Sequence, residues 1–188
     1  KRQRQAAVRE SGAGSPHSKK NHNFLLGAMT VQKIKRIQAK LVENNKTLAF
    51  AESCTGGRMA ALVTAIPGAS SYFLGSIVCY ADALKRDLLH VPEELLQTRG
   101  AVSKEVVSAM LKGLFEVTAA DYGIAVSGIA GPSGGTPEKP IGTVCAAIGM
   151  RGNPSQVFTF HAQGKTRDEV ILATCAHLFD ELEKILRA

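Results

Sequence analysis

No stretch of this chain approaches the roughly 18 consecutive apolar residues of a membrane span, so no membrane partner is expected. Secretory features are missing too. The basic start runs into Ser, Gly, His and Asn, where a signal peptide would carry an apolar segment and a small-residue cleavage site. The four cysteines, Cys54, Cys79, Cys145 and Cys175, lie far apart and form no C-x-x-C pair, and three of them sit inside apolar runs. That spacing argues against a disulfide framework and against a metal site. It fits reduced, mostly buried thiols in a cytoplasmic protein. Familiar catalytic signatures are lacking as well. There is no G-x-S-x-G, no G-x-G-x-x-G, and no Gly-Lys-Ser/Thr opening a helix as a P-loop requires. The histidines do not suggest a Ser-His-Asp triad. His17 and His22 fall near the start, His90 and His161 at element ends, and His177 inside the last helix; none adjoins a nucleophile-like turn.

The chain has 188 residues, which sets one domain as the expectation, and 45% of them are hydrophobic, enough for a real core. Its net charge of +7 is unevenly placed. Residues 1–28 hold six Lys/Arg and one Glu, leaving 17 basic and 15 acidic residues for the remainder. The segment 1–28 is polar and without sustained periodicity, so it is expected to be a disordered extension, solvated or vector-derived, ahead of a natural start at Met29. Its charge leaves a nucleic-acid arm open, but nucleic acid is not the expected partner. The expected domain is 29–188.

Apolar periodicity divides that domain into alternating helices and strands. Helices are predicted over Thr30–Asn45, Thr55–Ile66, Ala81–Leu89, Pro92–Thr98, Ser103–Ala120 and Arg167–Leu186. Thr30 and Ser103 are read as caps, and Thr166 with Glu169 as a capping box. Strands are predicted over Thr47–Glu52, Ser76–Tyr80, Tyr122–Ser127, Ile141–Met150 and Val157–His161. The resulting class is α/β, a three-layer α/β/α arrangement with a mixed central sheet.

Two stretches carry chemical potential. In Leu48–Gly57 an apolar strand turns polar at Glu52, passes Ser53, Cys54 and Thr55, and reaches Gly56 and Gly57 before the next helix. Such a turn presents Glu52, Ser53 and Thr55 at the carboxyl end of a strand, where open α/β sheets bind ligands and helix N–H groups favour anions. The alternative is that Ser53 or Thr55 only caps a helix. The second stretch is the loop after Ser127, with Gly128, Gly131, Gly134 and Gly135 among its thirteen residues. Glycines let backbone N–H groups approach a ligand. A third candidate is Lys85, close after Tyr80. A lysine there is either a solvated face charge or, buried against a serine, a base. Desolvation favours a neutral amine, and a neutral amine can accept the serine proton.

These residues together resemble a known family. Ala51–Gly57, Tyr80 with Lys85, Gly100–Ser103, Ser127–Pro132, Gly134–Gly135 and Lys139–Val144 stand in the order found in the C-terminal domain of the competence/damage-inducible protein CinA. The stand-alone form of that domain is nicotinamide-nucleotide amidohydrolase. The resemblance runs from about Thr30 to the end of the chain. It implies hydrolysis of the carboxamide of nicotinamide mononucleotide to nicotinate mononucleotide and ammonia, with Ser53 as nucleophile, Lys85 as general base and Tyr80 beside them. It implies no cofactor and no metal, a small pyridine nucleotide as the ligand, and a homo-oligomer. Backbone N–H groups of Ser53–Gly57 are expected to hold the oxyanion. Candidate substrate-binding residues on the first turn are Glu52, Thr55, Gly56 and Gly57. On and beside the loop they are Ser127, Gly128, Ala130 and Gly131, then Gly134, Gly135, Lys139 and Thr143. Arg167 completes the set at the last helix. The family often has a second arginine four residues further on, where this chain has Ile171. A nucleotide-binding regulatory module with little turnover is the alternative function.

Overall fold

The computed structural model describes residues 16–187, with side chains described from residue 30 onward. Five strands form one sheet in the order β2-β1-β3-β4-β5. β1 (Leu48–Glu52) pairs in parallel with β2 (Phe73–Val78) on one side and with β3 (Tyr122–Gly128) on the other. β4 (Thr143–Met150) and β5 (Gln156–His161) extend the sheet antiparallel, so it is mixed as expected.

Residue alternation along β1 divides the core. Leu48 and Phe50 face a layer made by α1 (Pro16–Glu43), α2 (Arg58–Thr64) and α6 (Arg167–Ile185). Ala49 and Ala51 face the opposite layer of α3 (Asp82–Leu89), α4 (Glu93–Arg99) and α5 (Lys104–Thr118). Both faces of β1 are buried, which explains its unbroken apolar run. α5 buries Val106, Val107, Met110, Leu111 and Leu114, each contributing about 1.5–3 kcal/mol. At Gly113 a Cβ would come within 1.9 Å of Leu89 O. Glycine there lets α5 lie directly on the end of α3, the helix that carries Lys85.

The chain leaves β1 for β2 through α2 on one face. It returns past β1 to β3 through α3, α4 and α5 on the other. The direction of winding therefore reverses at β1/β3, and open α/β sheets bind ligands outside the carboxyl ends of their strands at such a point.

Several boundaries differ from the sequence reading. α1 begins at Pro16, so residues 16–28 are helical where an irregular extension was expected, and Thr30 lies inside the helix, not at its start. Proline suits a first helical turn, and an established helix adds residues at little cost. Residues 1–15, with most of the expected basic extension, lie outside the described residues. β2 starts at Phe73, not Ser76, because Leu74 is skipped in the register: Leu48 faces Phe73 and Ala49 faces Gly75. A bulge of this kind breaks the alternation that marks a strand in sequence. α2 starts at Arg58, not Thr55. Gly56 and Gly57 have φ of 58° and 88°, left-handed values that no α-helix accommodates. The caps at Ser103 and the capping box of Thr166 with Glu169 are as predicted.

Candidate active site

Where β1 ends, the backbone turns sharply, and Glu52 holds the turn. Its carboxylate is fully buried and accepts five hydrogen bonds. The donors are Thr55 Oγ1 (2.7 Å), Gly57 N (3.1 Å), Met59 N (3.1 Å), Ala60 N (3.0 Å) and Ser76 Oγ (2.9 Å). A carboxylate is favoured there because α2 presents unpaired N–H groups at its positive end. The cap of α2 is thus Glu52, not Ser53 or Thr55. Glu52, Thr55, Gly56 and Gly57, expected to touch substrate, are instead the frame of the turn.

With that frame in place, Ser53 and Cys54 line a cavity of about 260 Å³ at the carboxyl ends of β1 and β3. Small-molecule sites start at about 300 Å³. Tyr80, Lys85, Ser127, Gly128, Ala130, Gly131, Gly134 and Arg167 join them, so nine of the expected site residues meet in one place. Gly128 allows the approach of the two strand ends: a Cβ there would lie 2.9 Å from Thr143 O and 3.1 Å from Cys54 Sγ.

Lys85 is 1% exposed, so the reading of it as a solvated face charge is wrong. Its Nζ donates to Tyr80 O (3.1 Å) and to Asp82 Oδ1 (3.0 Å), and no hydrogen bond joins it to Ser53. Tyr80 OH accepts from Arg167 (2.9 Å), which also donates to Gly131 O (2.7 Å). Arg167 therefore ties the glycine-rich loop to the rim at Tyr80. Burial pushes the Cys54 thiol up to about 12. A thiol so placed yields almost no thiolate near neutral pH, and Cys54 packs into the core cluster beside α2 and α6.

The backbone donors around Ser53 are mostly engaged. Ser53 N donates to Val126 O, Gly56 N to Ser53 O, and Gly57 N to Glu52. The oxyanion expected on Ser53–Gly57 as a group is thereby narrowed: Cys54 N–H, one residue after Ser53 and on the cavity wall, has no acceptor among the described residues. Ala130, Gly131, Ser133 and Gly134 N–H likewise have none and line the same cavity. They are donors suited to an anionic group.

Three expected ligand contacts are structural. Lys139 Nζ donates to Val102 O (2.7 Å) and Arg99 O (3.3 Å), clasping the loop to the segment between α4 and α5. Thr143 accepts through its carbonyl from Ile129 N (2.9 Å) and lies off the cavity. Gly135 is packed: a Cβ there would sit 2.9 Å from Ile141 N. Gly135→Ala is therefore expected to cost about 1–3 kcal/mol of stability, or roughly 2–12 °C in Tm at this size, with ligand affinity per folded molecule retained. A thermal melt with and without ligand checks this; an unchanged Tm with lost affinity would return Gly135 to the ligand-binding set.

Asp82, Ala101, Val102, Ile129 and Ser133 also line the cavity and were not foreseen. Asp82 stands three residues before Lys85, a spacing that pairs side chains on a helix and could have flagged it. Among the described residues, no group of three or more His, Cys, Asp or Glu could hold a metal ion, and no helix is long and apolar enough to cross a membrane.

The family model described as CinA C-terminal domain matches residues 31–186. A CinA-like protein of Thermotoga neapolitana is 50% identical over 148 residues, 78% of this chain and 36% of that protein. A protein named as a putative competence-damage inducible protein, from Symbiobacterium thermophilum, is 50% identical over 129 residues, 69% of this chain and 30% of its own length. The chain thus spans about a third of these curated relatives. In three dimensions it resembles the competence/damage inducible protein CihA from Agrobacterium tumefaciens. The TM-score is 0.81 at 34% identity, covering 85% of this chain and 96% of that one. The competence damage-inducible protein A (ComA) from Klebsiella pneumoniae gives 0.80 at 32% identity, covering 84% and 97%.

Proposed function

We propose that this chain, which belongs to the CinA C-terminal domain family, hydrolyses the carboxamide of a pyridine nucleotide, with nicotinamide mononucleotide as the substrate. The observation that carries the reading is the shared cavity of Ser53 and the buried Lys85, a nucleophile and a base candidate where no histidine stands. Ser53 Oγ attacks the amide carbon and Lys85 takes its proton. The oxygen that becomes negative is held by Cys54 N–H. Lys85 then returns the proton to the departing nitrogen, ammonia leaves, and water hydrolyses the acyl-serine to the carboxylate. The phosphate is bound by the free N–H groups of Ala130, Gly131, Ser133 and Gly134, with Arg167 beside them. No residue of α6 supplies a second arginine at position 171, so the backbone carries this end of the ligand.

In this reading the hydrogen bond between Ser53 and Lys85 forms as substrate enters. Catalytic hydrogen bonds are commonly long or absent in the free enzyme. The partner to be exchanged is Asp82, whose side chain is 56% exposed. That same ion pair favours a second reading, a nucleotide-binding module in which the lysine stays charged and turnover is slight.

Continuous ammonia release from nicotinamide mononucleotide decides between them. Steady multiple turnovers are expected; tight binding without release would favour the module. Lys85→Arg and Lys85→Ala belong in the same assay, with folding followed by circular dichroism. Both should lose about 10²-fold or more in kcat, because a guanidinium keeps its charge and cannot accept the serine proton. Restoration of most of the rate by arginine would mean that Lys85 acts as a charge alone.

A further inference from the structure

The turn and the loop account for most polar groups around the cavity, but not for the hydroxyl of Ser127. Side chains of β3 alternate between layers: Ile124 and Val126 face α1, α2 and α6, and Ala125 faces α5. Ser127 follows Ala125 on the α5 face, opposite Cys145 of β4. It is 1% exposed and lines the cavity. Its hydroxyl makes no hydrogen bond among the described residues. The nearest candidate on β4, the Cys145 thiol, is engaged with Thr159 Oγ1 at 3.3 Å. Among the described residues, the fully enclosed side-chain polar atoms without a partner are Gln38 Oε1 and Tyr72 OH, so Ser127 Oγ is not fully enclosed.

A buried hydroxyl without a partner is unfavourable. Alanine fits this face of the sheet at positions 125 and 147, and the fold gives no reason for a serine at 127. The position is also well defined. β3 is paired on both sides, and Ser53 N donates to Val126 O at 3.0 Å. The peptide before Ser127 is therefore hydrogen-bonded to the peptide that carries the candidate nucleophile.

Resting on the amidohydrolase reading, we infer that Ser127 Oγ accepts a hydrogen bond from the amide N–H of the substrate and so orients the carboxamide for attack by Ser53. An amide presents an oxygen that needs donors and a nitrogen that needs acceptors. Cys54 N–H serves the oxygen. Tyr80 OH and Gly131 O on the wall are engaged by Arg167, and Asp82, which Lys85 releases, is half exposed at the rim. Ser127 Oγ is the deeply buried acceptor on the strand end next to Ser53, and it serves the nitrogen. Sites that hydrogen-bond a substrate N–H discriminate strongly against an isostere that lacks it.

The test compares nicotinamide mononucleotide with its 3-acetylpyridine analogue, in which a methyl group replaces the amide NH₂ and the carbonyl is kept. Dissociation constants are measured by calorimetry in Ser53→Ala, where the amide survives the titration, and in Ser53→Ala with Ser127→Ala. The amide should bind at least about tenfold tighter than the ketone before Ser127 is removed, and within about threefold of it afterwards, a loss of one hydrogen bond. The Tm should be unchanged or raised, since no protein group loses a partner. Persistence of the amide preference without Ser127 overturns the inference. So does equal binding of amide and ketone before its removal, or no binding of the mononucleotide. Ammonia release by the wild-type protein is read separately, so failure of the hydrolase reading and failure of the Ser127 assignment give different results.

Discussion

Ser53→Ala is expected to fold as the wild type does and to lose at least about three orders of magnitude in ammonia release. Two features of the turn set these expectations. The Ser53 hydroxyl makes no hydrogen bond to a described residue, and the turn is held by Glu52 and by the bond from Ser53 N to Val126 O. Removing the oxygen therefore takes nothing from the frame, and the Tm should stay within about 2 °C, the range of a surface substitution at this size. For turnover, the neighbouring Cys54 offers no substitute, since burial holds its thiol at about 12. The measurement is kcat on nicotinamide mononucleotide, with product formation followed by chromatography. Retention of more than about a tenth of the wild-type rate would remove Ser53 from the nucleophile role, because losing a nucleophile that works as part of a unit costs far more.

Glu52→Gln is expected to give the reverse pattern, a large loss of stability from one buried atom pair. The carboxylate accepts from three backbone N–H groups and two hydroxyls, with both oxygens in use. A glutamine keeps the shape but brings an NH₂ that must face at least one of those donors. It leaves buried N–H groups unsatisfied and removes the negative charge at the N-terminus of α2. Together these should cost on the order of 3 kcal/mol or more, about 6–12 °C in Tm for a chain of this size. Differential scanning calorimetry reads this directly. A shift of less than about 2 °C would mean that water or rearranged side chains satisfy the donors. The same substitution should lower turnover per folded molecule, because Ser53 is the next residue along the frame that Glu52 holds.

The prominent residues of the site were legible in the sequence, while their division of labour was not. Ser53, Lys85 and the loop after Ser127 stand out because each combines a reactive or flexible residue type with a strand end or helix start, whereas Arg167 entered only through the family resemblance. Glu52 and Thr55 stand out for the same reason, yet they serve the frame. The donor that decides this is Ser76, 24 residues away on β2, reached only once β1 and β2 are paired. Lys139 looks like a phosphate ligand in its glycine-rich setting, but its nitrogen is taken by carbonyls 37 and 40 residues earlier. Gly135 reads as a ligand-approach glycine and is a packing glycine against Ile141. Asp82 was overlooked because a carboxylate in a first helical turn is ordinarily explained by the helix dipole alone.

By itself the sequence determined the α/β class, the alternation of helices and strands, the caps of α5 and α6, and the two stretches that build the cavity. These are set by short-range chemistry: apolar period, capping side chains, and the backbone freedom of glycine, all of which act within a few residues. The tertiary structure decided the strand order, the reversal of winding at β1 and β3, and which polar groups have partners. Those depend on contacts between segments far apart in the chain, and a hydrogen bond leaves no periodic trace in either segment. The candidate active site is what remains when those partners are assigned. Glu52, Thr55, Gly57 and Lys139 are consumed by the fold, and Ser53, Ser127, Cys54 N–H and the N–H groups of Ala130, Gly131, Ser133 and Gly134 are left facing the cavity.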